Sequence, residues 1–367
     1  MGPPVESVVV KSWTDAAGAE DRIKITVLMA VYESPLAMLR KAVDSVLAQT
    51  YGGFEFLILD DGSSDPALLQ YLERLKSSDP RVRVAHEPHR GLTQSLNRGL
   101  ELASGEWIAR QDADDWSAPA RLEKQLALVE SHPAVSLCGS NVWTHQQSGR
   151  PLWRTRLPLE HADILAAFPS GNPFVHGATL FSRCRALAMG GYREAFPCAQ
   201  DYDFFWRLAE EGVATNLEEP LYHYRYRPGS ISAARAAEQV IVCRAARELA
   251  RARTGASPPG PARSPSPPVP QSQFRDWPEP GCLREVDAQV SAALEIARTE
   301  MQARPSCVLR TQLKQADHLL LAGEYRAAFQ AYLGLIAVHP HCGLAWAKFV
   351  RYGIFLAFPP AREACFR

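Results

Sequence analysis

Three aspartates fall within four residues at Asp112, Asp114 and Asp115, directly after the run Glu106-Trp107-Ile108-Ala109-Arg110-Gln111. Alternate residues of a strand share a face, so Asp112 and Asp114 would lie on one side if the strand continues through them. Paired carboxylates repel and stabilise a fold poorly. They suit a hard divalent cation, Mg²⁺ or Mn²⁺, that also takes phosphate oxygens, which points to a phosphorylated substrate. A second acidic group is Asp60-Asp61-Gly62-Ser63-Ser64-Asp65. A carboxylate here can accept a hydrogen bond from a nucleobase N–H. The same residues also make an ordinary turn, with Asp65-Pro66 opening the next helix.

The elements that must position these groups are legible from periodicity. Residues 23–32 form an apolar run that reads as a buried strand, and a helix follows over 36–49. A strand at 54–59 precedes Asp60. Then come a helix near 66–76, a strand near 82–85, a helix near 93–103 and a strand near 107–110. Strands alternating with helices predict an α/β fold with a mostly parallel central sheet covered on both faces. Ligands of such sheets bind outside the carboxyl ends of the strands. The three polar clusters Tyr32-Glu33, Asp60-Asp61 and Asp112–Asp115 fall at those ends. Further on, a helix is expected at 121–131, strands at 135–142 and 178–181, and a helix at 202–211.

The order of motifs resembles family 2 glycosyltransferases of the GT-A fold. The resemblance runs through Val27–Ser34, Ala42–Tyr51, Leu59–Asp65, Gly91-Leu92, Asn97–Leu100, Ser104–Ala109 and Gln111–Asp115, and covers about residues 23–232. It implies a nucleotide-diphospho-sugar transferase with Asp114 on the metal and Asp112 supporting metal or ribose. Ala30, Tyr32, Glu33, Asp60, Asp61 and Ala113 would line the nucleotide-sugar site, with Asn97, Arg98 and His89-Arg90-Gly91 as weaker candidates. Family members often carry Glu-Asp at Gln200-Asp201. The resemblance makes Asp201 the general base that takes the acceptor hydroxyl proton, in a single displacement with inversion. The alternative is that Asp201 caps the following helix. Asp203 reads as structural. Glu33 stands where the family commonly has Asn. His176, in Asn172–Ala178, would contact sugar or acceptor, or serve only the core. Arg225 or Arg227 would approach the diphosphate.

Composition limits the alternatives. Lys plus Arg and Asp plus Glu both number 40 in 367 residues, so the zero net charge gives no sign of a nucleic-acid binder. No apolar run reaches the roughly 18 residues of a membrane span, and the first 22 residues do not pattern as a signal peptide. The eight cysteines form no C-x-x-C pair, and reduced structural thiols are expected. The expected setting is cytoplasmic, with visits to the inner membrane face to meet a glycan or lipid-linked acceptor in surface polysaccharide assembly.

The expected organisation is a tail at 1–22, the transferase domain at 23–250, a Pro-rich linker at 254–281 and a helical module at 283–367. In that module Gly323–Ala328, Tyr332, Leu335 and Pro340 match the second helix of a tetratricopeptide repeat, and Trp346 the first aromatic of the next. Such a hairpin can recruit a protein partner. Two competing readings are a nucleotidyltransferase and a non-catalytic scaffold. The first normally shows a glycine-rich loop after the first strand, and here that loop is Tyr32-Glu33-Ser34-Pro35.

Overall fold

The structure is a computed structural model that describes residues 23–227, 230–254, 290–297, 312–313, 316–317, 319–321 and 325–338. Its first half is a parallel α/β unit. Strands β1 (Ile25–Val31), β2 (Phe54–Asp60), β3 (Val82–His86) and β4 (Trp107–Asp112) lie in the order β3-β2-β1-β4. Helices α1 (Leu36–Leu47), α2 (Pro66–Ser78) and α3 (Leu92–Leu102) make the crossovers.

Strands β1, β2 and β4 are buried on both faces, as the interior of a covered parallel sheet requires, while the edge strand β3 is partly exposed. Leu28, Leu57, Leu59 and Ile108 pack into one apolar cluster with Leu96 and Leu100 of α3. Val27, Met29, Phe56, Ile58 and Ala109 pack into another, with Leu39, Ala42, Val43 and Val46 of α1. Those α1 residues recur at the spacing of one helical face. The expected Asp65 cap of α2 is present: its carboxylate accepts from Ala67 N at 2.9 Å, with Pro66 in the first turn.

Beyond β4 the sheet becomes mixed. The elements are β5 (Trp116–Ser117), α4 (Arg121–Ser131), β6 (Val135–His145), β7 (Pro151–Arg154), α5 (His161–Ala167), β8 (Leu180–Ser182), α6 (Arg183–Ala188), α7 (Gln200–Glu211), β9 (Val213–Arg225), α8 (Ile231–Ala234) and α9 (Ala236–Thr254). Strand β8 runs antiparallel to β4 and β6, and β9 runs parallel to β6. The far end of β9 pairs with β5, so Tyr222 and His223 come to lie beside Trp116 and Ser117. This long return strand carries Tyr222–Arg225 back to the acidic turn.

Toward the C-terminus, Val290, Ala293 and Ala297 share a core with Val242, Ala246 and Leu249 of α9. Leu313, Ala316, Tyr332, Leu335 and Ile336 form a separate cluster about a helix at Tyr325–Val338. The 1–22 tail, nearly all of the Pro-rich stretch, and Gly323-Glu324, Pro340 and Trp346 of the repeat-like pattern lie outside the described residues. Among the described residues no helix is long and apolar enough to cross a membrane.

Candidate active site

Parallel register brings the acidic groups to one edge. Val31 pairs with Asp60 and Ala30 with Asp112, so the ends of β2, β1 and β4 sit side by side. Strand pairing stops at Asp112. Residues Ala113-Asp114 form a turn in which Asp115 N approaches Asp112 O at 3.4 Å. Asp112 and Asp114 are therefore brought close by this turn, not by a shared strand face, because β4 does not extend that far.

The turn is braced by arginines. Arg110 is fully buried and donates from Nη1 to the carbonyls of Leu28 at 2.7 Å and Gln111 at 2.9 Å. Its Nη2 pairs with Asp112 Oδ1, and its Nε donates to His176 Nε2 at 3.2 Å. Arg121 donates to the carbonyls of Arg110 at 2.7 Å and Thr179 at 3.1 Å. Burial lowers the Arg121 guanidinium to about 10. Asp114 pairs with Arg227, just past β9. Asp115 accepts the backbone N–H of Arg225 at 2.7 Å through Oδ1, and its buried Oδ2 has no hydrogen bond of good geometry among the described residues. Burial, then Asp114 and Asp112, push the Asp115 carboxyl well above the usual range. The Asp112 N–H donates to Tyr222 Oη at 3.1 Å. Gly177 closes in from the other side: a Cβ there would meet Tyr222 Oη at 2.1 Å and Asp112 Oδ2 at 2.8 Å.

Asp201 lies in the first turn of α7, beyond Ala199, which adopts the left-handed conformation at φ 50°. Asn172 Nδ2 donates to its Oδ2 at 2.8 Å. Burial first, and then the charge of Asp112, raise the Asp201 carboxyl to about 6, against its own and Tyr202's N–H groups. That interaction ties Asp201 to the acidic turn across the sheet edge. Asp203, two residues on, has a different environment: Arg207 Nε at 2.8 Å and Arg193 Nε at 3.0 Å hold it. Burial opposes its charge, yet Arg207, Arg193 and Arg253 outweigh that and keep it below the usual range.

His176 opens a 3-10 turn, His176–Ala178, and its Nε2 takes Arg110 Nε and lies 3.0 Å from Tyr192 Oη. Burial, then Arg110, drive it well below its ordinary value, so the ring is neutral. It supports Arg110 and Tyr192 through this nitrogen.

The other candidates divide. Tyr32 is half exposed and stacks on His89 at 3.9 Å with rings 18° apart. Asp60 Oδ1 accepts from Ser63 N at 3.1 Å and its Oδ2 faces His86 Nδ1 at 2.7 Å. Asp61 accepts from Arg90 N at 2.8 Å and Gly91 N at 3.0 Å. Both aspartates are buried beside the turn they hold. Glu33 sits at φ 43°, in the region where Asn is more at ease, and its Oε1 accepts from Ser64 N and Oγ. Asn97 and Arg98 have other tasks than the nucleotide contacts expected. Asn97 clamps Tyr192 by two bonds of 2.8 Å, Nδ2 to the carbonyl O and backbone N to Oδ1. Arg98 pairs with Glu87 and Glu101 at the surface.

Sequence reasoning missed Arg110, Tyr192 and Tyr222. A signal existed for the first: an arginine inside an apolar strand, next to three aspartates, must find partners to be buried. Among the described residues no group of three or more His, Cys, Asp or Glu side chains is arranged to hold a metal. Asp112 and Asp114 still fit a Mg²⁺ or Mn²⁺ that takes one or two carboxylates and completes its shell with water and substrate phosphate.

Residues 26–189 match the sequence model of Glycosyl transferase family 2. The amylovoran biosynthesis glycosyltransferase AmsE of Erwinia amylovora is 32% identical over 203 residues, which cover 54% of this chain and 75% of that protein. The O-antigen biosynthesis glycosyltransferase WbnJ of Escherichia coli is 28% identical over 233 residues, 63% of this chain and 90% of that one. Among solved structures, S. aureus TarS 1-349 in complex with UDP-GlcNAc aligns with a TM-score of 0.51 and 14% identity, over 90% of this chain and 89% of that one. That last likeness is one of fold, a GT-A-like curled sheet with flanking helices.

Proposed function

The chain belongs to glycosyl transferase family 2 and is a glycosyltransferase, and on that premise we propose that it moves a sugar from a UDP-sugar to a hydroxyl of a glycan or lipid-linked acceptor, with inversion. Membership in the family displaces the nucleotidyltransferase and scaffold readings. The observation that carries the proposal is Asp201, a carboxylate raised to about 6 beside Asp112 and held by Asn172. A base near the working pH is ionised yet still accepts a proton readily. Asp201 takes the acceptor proton as that oxygen attacks the anomeric carbon and the nucleoside diphosphate departs, a single displacement. Asn172 keeps Asp201 aimed, and neutral His176 with Arg110 holds Asp112 in register.

Asp112 and Asp114 would hold Mg²⁺ or Mn²⁺, which when bound neutralises charge on the departing nucleoside diphosphate. Arg227 must release Asp114 for that, and its guanidinium is then free to meet phosphate oxygens. Tyr32, with Asp60 and Asp61 behind it, is the nucleobase end of the site. Two relatives named for amylovoran and O-antigen biosynthesis support an acceptor in surface polysaccharide assembly, met at the inner membrane face. The repeat-like helices after the linker are proposed as a module that recruits a protein partner.

The test is hydrolysis of a panel of nucleotide sugars with and without Mn²⁺ or Mg²⁺. Slow metal-dependent UDP release, lost in Asp114→Ala, supports the donor and cation. If no nucleotide sugar binds with either metal, the proposal fails.

A further inference from the structure

One residue past the acidic turn, five side chains gather that the transfer chemistry above does not use. Lys41 of α1 sets Nζ 3.1 Å from the centroid of the Trp116 indole. Arg225, the last residue of β9, sets Cζ 5.1 Å from the same centroid. His223 stacks on Trp116 at 4.9 Å with rings 6° apart, and its Nδ1 lies 3.0 Å from His145 Nε2. His145 Nδ1 faces the Gly149 carbonyl at 3.0 Å, so it carries that ring's proton, and Nε2 accepts from His223. Strand register fixes the group: Trp116 pairs with His223, and His145 with Arg225.

Lys41 and Arg225 make the cluster cationic, and none of its five side chains is a carboxylate. Arg225 is 9% exposed, and its buried Nε has no acceptor among the described residues. Asp115 takes the backbone N–H of Arg225 rather than its guanidinium. Partial desolvation of its ammonium, and then Arg225, lower the Lys41 pKa from its usual range, although the residue as a whole is exposed. The indole face attracts both cations but supplies no hydrogen-bond acceptor for the guanidinium. An oxyanion would supply one, and guanidinium forks bind phosphate oxygens in pairs.

We infer that Lys41 and Arg225 beside Trp116 form a site for a phosphate group carried by the acceptor, walled by the neutral His145–His223 pair and separate from the donor diphosphate served by Asp112 and Asp114. The word acceptor rests on the transferase reading; the oxyanion site does not. The geometry suits a phosphate or diphosphate ester such as a lipid-linked sugar carries at its reducing end.

The probe is inorganic diphosphate, titrated calorimetrically into the full chain with excess Mg²⁺ and saturating UDP. Binding at one site is expected, with Kd raised tenfold or more in Lys41→Ala, an exposed position that leaves the core intact, and in Arg225→Gln. No binding, displacement by UDP, or an unchanged Kd in Lys41→Ala overturns the site. A short prenyl diphosphate is expected to compete with the probe, while the matching prenol does not. Failure of the prenyl diphosphate to compete overturns the assignment to the acceptor. Wild-type hydrolysis of nucleotide sugars, run alongside, tells a failed transferase reading from a failed phosphate site.

Discussion

Asp60 and Asp61 end β2 with every carboxylate oxygen already bonded, to Ser63, His86, Arg90 and Gly91. Asp112, Asp114, Asp115 and Asp201 gather at the end of β4 and the start of α7 under the opposite condition. One of their oxygens has no hydrogen bond among the described residues, three of their carboxyls feel a neighbouring carboxylate, and burial pushes Asp112, Asp115 and Asp201 upward. The first cluster spends its charge holding two loops in place. The second keeps carboxyls above their usual range even with Arg110 and Arg227 beside them, the usual mark of groups kept for chemistry. Within α7 the contrast repeats over two residues: Asp203 is neutralised by arginines, and Asp201 is not.

The sharpest test of that contrast is Asp201→Asn, which removes the proton acceptor and keeps the shape. Transfer is expected to fall by about 10² to 10⁴, a general base's usual contribution, with donor affinity retained in a binding assay. In the wild type, the rate of the transfer step should rise with pH through about 6 as Asp201 ionises. A flat profile across that range removes the base from Asp201.

Asp203→Ala should instead act on the fold. It leaves Arg193 and Arg207 buried without their carboxylate, at a cost of about 3–5 kcal/mol, read by urea denaturation. Asp201→Asn should move stability the other way. A carboxyl raised from 3.8 to about 6 binds its proton more tightly folded than unfolded, so native stability is lost as pH rises through that window. At pH 7 the amide recovers up to about 3 kcal/mol. The gain should shrink as pH falls through about 6 and vanish below 3.8. Equal melting temperatures of variant and wild type at pH 7 would break the comparison.

The smallest effect is expected at the first cluster. Asp61→Asn turns one acceptor of the Arg90 and Gly91 N–H groups into a donor, costing about 1–3 kcal/mol. The loss should appear mainly as weaker donor binding, with kcat little changed.

The parallel half of the sheet was legible because its strands are apolar runs bounded by helices with clear faces. The helix at Arg121–Ser131 came out as expected, and α1 and β2 within two residues. The second half resisted. Strand β9 is long and half exposed, with Glu218-Glu219-Pro220 in its middle, so neither alternation nor continuous burial marks it. Strand β5 is two residues long and exists only because β9 returns to pair with it. The acidic motifs were readable as carboxylates out of place. Their bracing was not, because Arg110, Tyr192 and Tyr222 come from three distant parts of the chain and meet only in the fold. The bonds of Asn97 were unreadable for the same reason: its partner, Tyr192, lies 95 residues away.

Arg110 has a consequence for how the molecule is made. Its guanidinium is locked in the sheet by the carbonyls of Leu28 and Gln111 and lies against Asp112. The acidic turn thus carries a permanent counterion that cannot be diluted or chelated away. Assembly of the protein is uncoupled from cation supply.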